Sequence, residues 1–118
     1  MNHLVSVLDS EKHKTEESWG SMTWMANQVL SGSSVTVGRL ILRPGQGDTA
    51  HSHSNADEVI YLLRGGVTVR MGGSKIDLQA GDALTITLRL IHQIQNTGKA
   101  EAEMTLSYSS GIRKYTAE

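Results

Sequence analysis

The chain has no cysteine, no phenylalanine and a single proline, Pro44; its two tryptophans, Trp19 and Trp24, lie five positions apart. Without cysteine no disulfide staples the fold, and no thiolate is on hand to bind a metal or attack a substrate. With aromatic residues at only 4%, the core must rest on Val, Ile, Leu and Met, whose β-branched members fit a pleated sheet better than a helix. An excess of charge of either sign is also lacking. Eleven Lys and Arg stand against 12 Asp and Glu, a formal net charge of -1 scattered along the chain. No basic block points to nucleic acid, and no acidic tail points to a charge-driven partner. No apolar run approaches the roughly 20 residues needed to span a bilayer. The N-terminal apolar stretch, Leu4 to Leu8, is too short and interrupted for a secretory signal. The expectation is a soluble, cytoplasmic protein that engages neither nucleic acid nor membrane.

At 118 residues the chain is long enough for one domain with a real core. Short segments of alternating apolar and polar residues recur between glycine turns. Val35–Leu42 reads as a strand of period two, closed by the Pro44-Gly45 turn. Glu58–Leu63 is a nearly continuous apolar run and reads as a strand buried on both faces. Gly65-Gly66 precedes the alternating Val67–Met71, and Gly72-Gly73 is a two-residue hairpin signal. Further strands are expected over Lys75–Leu78, Ala83–Thr87, His92–Asn96 and Ala102–Tyr108. Ahead of them, Ser10–Glu17 reads as a helical turn and Ser21–Val29 as a strand carrying Trp24 toward the core. Short strands punctuated by turns every 8–12 residues or so indicate an all-β sandwich or small barrel. Residues 1–34 then form an N-terminal extension packed on the barrel or on a partner, and 35–118 form the barrel domain.

Four residues carry most of the chemistry: His51, His53, Glu58 and His92. Side chains two apart on an extended segment share a face, so His51 and His53 converge. Glu58 opens the next strand, and His92 arrives from a distant one. Three imidazoles and one carboxylate form a mixed nitrogen and oxygen donor set that divalent transition metals favour. A lone histidine is weak evidence of a ligand, and His3 and His13 are read as solvent-exposed. The Gly-Gly pairs sit at hairpins and lack the strand-to-helix context of a phosphate loop.

With its flanking glycines this pattern resembles the cupin superfamily. Gly45, His51, His53, Glu58 and Gly65 match every position of that superfamily's first motif. Gly81, His92 and Asn96 match the second, where Thr87 replaces the usual proline and Arg89 the usual glycine. The resemblance spans Val35 to Tyr108. It implies a jelly-roll barrel, or double-stranded β-helix, of six to eight strands with little helix. One divalent transition metal (Fe2+, Mn2+, Ni2+ or Zn2+) would be held by the four ligands, with coordination positions left open. Arg89 suggests a different turn conformation before His92, with the ligand itself retained. In small cupins a second subunit typically covers an apolar strand such as Glu58–Leu63, so the expectation is a homodimer.

Three functional readings follow. The first is a small metal-dependent enzyme, such as a dioxygenase, isomerase, cyclase or lyase, acting on a small organic molecule. The second is a non-catalytic module that binds or senses a small ligand, and the third is a purely structural metal barrel. Trp24, Met25, Tyr61, Met104 and Tyr108 are candidates for the walls of a mainly apolar pocket. Arg89 is a candidate for meeting a substrate anion at the barrel mouth, and its bland alternative is a solvated surface arginine.

Overall fold

Strict alternation along the strands sorts their side chains into an inner and an outer set. In the computed structural model, which describes residues 3–118, this builds two antiparallel sheets. The elements are α1 (Val7–Glu11), β1 (Lys14–Glu17), β2 (Gly20–Ala26), α2 (Gln28–Ser31), β3 (Thr36–Leu42), β4 (His51–Ser52), β5 (Glu58–Arg64), β6 (Gly66–Met71), β7 (Ser74–Gln79), β8 (Ala83–Ile86), β9 (His92–Gln95), β10 (Ala102–Tyr108) and β11 (Thr116–Ala117). One sheet runs β1-β2-β3-β10-β5-β8 and the other β11-β4-β9-β6-β7. The core lies between them. Leu40, Leu42, Ile60, Leu62, Met104 and Leu106 point in from the first sheet, and Val67, Val69 and Ile94 from the second. Burying each such side chain contributes about 1.5–3 kcal/mol. This is an all-β jelly roll, whose helices among the described residues are single turns of five and four residues. None is long and apolar enough to cross a membrane.

Two expectations need correction. Glu58–Leu63 is not buried on both faces in the single chain. Glu58, Ile60 and Leu62 point inward, whereas Val59, Tyr61 and Leu63 are 37%, 42% and 45% exposed. An apolar run does not distinguish a strand covered twice from one whose outer face is apolar. At the N-terminus the helical turn comes earlier than expected. Ser6 accepts a hydrogen bond from the Asp9 amide and caps α1, while Lys14–Glu17 pairs with β2 as an edge strand. A segment this short has little helical stability of its own, and the sheet edge offers its backbone a full set of partners. The strand through Trp24 stops at Ala26, because the Asn27 side chain accepts from the Leu30 amide and starts α2.

The turns fall where the sequence placed them. Gly65 has φ 83°, and a Cβ there would stand 2.8 Å from the Glu101 carbonyl oxygen. Only glycine can make the sharp passage from β5 to β6 beside β10. Met71 pairs with Ser74 across the Gly72-Gly73 hairpin. After β10 the chain turns back over the open end of the sheets and ends as β11 against β4.

Candidate metal centre

β4 delivers His51, with His53 just beyond it, and Glu58 and His92 are the first residues of β5 and β9. His51 and His92 are directly opposed where β4 pairs with β9. All four side chains are buried, and one donor atom from each lies within 4.8 Å of the others. The ring centroids of His51 stand 4.8 Å from His53 and 4.4 Å from His92.

The outer nitrogen of each ring is already committed. Nδ1 of His51 donates to the Thr49 carbonyl at 2.6 Å, that of His53 to Lys114 at 2.8 Å, and that of His92 to Leu90 at 2.9 Å. Nε2 of each ring is thereby left for the shared interior, the arrangement by which proteins orient metal-binding imidazoles. Glu58 Oε1 lies 2.9 Å from His92 Nε2 and 3.3 Å from His53 Nε2. His53 Nε2 and Glu58 Oε2 are buried without a hydrogen-bond partner. Buried polar atoms are nearly always satisfied, and a cation between them would satisfy both. The donor set therefore fits one divalent ion.

The protonation of Glu58 and His51 agrees with that fit, whereas His92 carries a proton more readily and must give it up to an ion. Burial alone would raise the Glu58 carboxyl, but the imidazoles of His53 and His92 beside it outweigh that and hold the group at about 2. Burial lowers His51 to about 4, so its ring is neutral at physiological pH. Burial also works against charge on His92, yet the hydrogen bond and charge of Glu58 more than reverse it and raise its pKa. A carboxylate and a neutral imidazole are the forms that bind a metal. Nearby, burial pushes Asp48 up to about 7. Its Oδ1 accepts from the Ile94 amide, and its Oδ2 lies 4.0 Å from His51 Nδ1.

Beside His51 opens a cavity of about 330 Å³, walled by Trp19, Met22, Trp24, Leu40, Leu106 and Tyr108, with Asp48, Arg113 and Tyr115 at its polar side. Of the expected pocket residues, Trp24 and Tyr108 line this cavity. Trp24 packs against Gly38, where an added Cβ would come within 2.8 Å of the indole. Met104 is fully buried in the core between the sheets, Tyr61 stands on the outer face of β5, and Met25 lies half-buried at the end of β2. Arg89 is exposed on the turn before His92, with φ 69°. That turn keeps a left-handed backbone of the kind glycine favours, so the expected change of conformation is not seen at this residue. Asp48, Arg113 and Tyr115 escaped the sequence reading. The last two belong to an irregular segment with no periodicity to flag it.

Facing antiparallel sheets with a buried three-imidazole, one-carboxylate cluster at one end define a jelly roll built around a candidate mononuclear metal site. The family model for the cupin domain matches residues 38–108, more than half of the chain, and the chain belongs to the cupin family. It is 31% identical over 80 residues to the tetracenomycin polyketide synthase protein TcmJ of Streptomyces glaucescens, covering 68% of this chain and 54% of that protein. Polyketide synthase CurC of Streptomyces cyaneus is 29% identical over 87 residues, covering 74% of this chain and 56% of that one. The chain thus spans about half the length of these curated relatives. Among solved structures, the oxalate decarboxylase of Bacillus subtilis at pH 4.6 superposes with a TM-score of 0.84 at 18% identity, over 91% of this chain and 30% of that one. The formate complex of the Lactobacillus farciminis enzyme gives a TM-score of 0.81 at 19% identity, over 88% and 32%. At such identity the likeness is one of fold.

Proposed function

We propose that this cupin is a cytoplasmic, homodimeric, metal-dependent enzyme that acts on a small organic molecule bound beside His51. The observation that carries the reading is the pair of buried, unpartnered atoms His53 Nε2 and Glu58 Oε2 inside the four-residue cluster. A divalent ion held by three neutral imidazoles and one carboxylate keeps a charge of about +1 and supplies Lewis acidity toward carbonyl and carboxylate oxygens. The protein's own part is to hold the ligands rigid through the carbonyls of Thr49, Leu90 and Lys114. Met22, Leu40 and Leu106 give the cavity an apolar wall. The cavity at His51 supports an enzyme over a purely structural metal barrel, which would seal its ligands on every side. Dioxygenase, isomerase, cyclase and lyase chemistry all suit such a centre. The relatives named for polyketide synthesis support a carbonyl-bearing substrate.

Elemental analysis of the purified protein beside a His51→Ala, His53→Ala variant tests the reading. The expected outcome is close to one divalent transition metal per wild-type chain and a near-complete loss in the variant. Equal metal content in the two would end the proposal.

A further inference from the structure

The cavity contains a cation without a counter-ion. The Arg113 guanidinium sits over three aromatic faces, 5.0 Å from the Trp24 ring centre, 5.4 Å from Tyr108 and 5.0 Å from Tyr115. Rings hold a guanidinium in place through their negative faces, but they satisfy none of its in-plane donors. Arg113 Nε is buried with no hydrogen-bond partner, and the Tyr108 hydroxyl stands near the group. Among the described residues no carboxylate pairs with it. Arg39 and Arg64, by contrast, share Glu103 on the surface. Asp48, the carboxylate in the cavity wall, is turned toward the Ile94 amide and His51. Arg113 is half-buried, so only part of the group is out of water; its planar fork matches a carboxylate.

Its position relative to the metal centre narrows the ligand. The Tyr115 ring stacks on His51 at 4.6 Å, and the Tyr108 ring meets His53 edge-on at 4.8 Å. Each of these tyrosines also touches Arg113, so a single aromatic ring separates the guanidinium from the metal-ligand cluster. Arg113 and His51 line the same cavity, so one small ligand can meet both. The walls suit something flat, and a volume of about 330 Å³ lies at the small end of ligand pockets, which run from about 300 to 1,000 Å³.

We propose that Arg113 anchors the anionic end of the substrate, and that the substrate is a small planar conjugated oxyanion of the aromatic carboxylate type. This deepens the reading of the cavity as a substrate site by naming the substrate class. The test uses chelator-treated protein, so a failed metal site and a failed anion anchor are told apart. Isothermal titration compares 4-hydroxybenzoate with its neutral isostere 4-hydroxybenzamide. The carboxylate is expected to bind at least about tenfold more tightly than the amide. Arg113→Met should remove that preference while leaving the amide within about twofold, and Arg113→Lys should retain part of it. Equal binding of the two probes, a preference that survives Arg113→Met, or no binding of 4-hydroxybenzoate at millimolar concentration would each overturn the proposal. The wild-type comparison decides the matter even if Arg113→Met does not fold.

Discussion

Arg89 shows how one residue can depart from a motif and leave the site standing. The Leu90 amide donates to the Thr87 carbonyl at 3.2 Å, closing a turn in which Arg89 sits third with φ 69°. Its own amide donates to the His53 carbonyl at 2.7 Å, tying the turn to the ligand segment. A non-glycine residue in this region is strained by about 1–2 kcal/mol. Arg89→Gly relieves that strain, partly offset by the greater freedom of glycine in the unfolded chain. We expect a net gain of up to about 1 kcal/mol, a rise in melting temperature of several degrees for a domain of this size, and unchanged metal content. A lower melting temperature would show that the arginine side chain contributes more than its backbone costs. The four-residue cluster itself was legible at this scale, since residue type and spacing to Gly45, Gly65 and Gly81 are local properties. Arg113 was not, because nothing around it in sequence distinguishes it from a surface arginine.

Among the elements, the C-terminal segment 109–118 has the largest role beyond the motif-bearing strands. Asn55 holds it on both sides, its Nδ2 donating to the Ile112 carbonyl at 2.6 Å and its Oδ1 accepting from the Lys114 amide at 3.2 Å. Lys114 in turn offers its carbonyl to His53, and β11 pairs with β4. One segment thus orients His53 and carries both Arg113 and Tyr115 to the cavity. Asn55→Ala removes both latch bonds, which at about 0.5–1.5 kcal/mol each amounts to about 1–3 kcal/mol of stability. Hydrogen exchange should quicken across 112–117, and a chelator should strip metal more readily. Unaltered exchange there would mean that β11 alone secures the segment. The hairpin strands were readable from alternation and glycine turns, but this element was not. Its order comes from single bonds to residues some 60 positions earlier.

For the molecule as a whole, the outer face of the six-stranded sheet decides how copies of the chain meet. Val59, Tyr61 and Leu63 project from β5 onto a face that the single chain leaves uncovered. Large apolar faces on stable proteins usually meet another surface. We expect light scattering to give twice the chain mass at micromolar concentration, and Val59→Glu with Leu63→Glu to shift it to the monomer. A monomeric wild type would remove the dimer from the proposal.

By itself the sequence determined the class of the fold and the membership of the buried His51, His53, Glu58 and His92 cluster. Both follow from short-range rules, side chains alternating along strands and glycines where φ must be positive. The tertiary structure alone decided that Glu58–Leu63 keeps one face open. It also placed a cavity beside His51 and left Arg113 among three rings without a counter-ion. Those features depend on where distant segments meet in space. A single chain's pattern encodes which face of each strand turns inward, and leaves unsaid what the returning chain will lay across the end of the barrel.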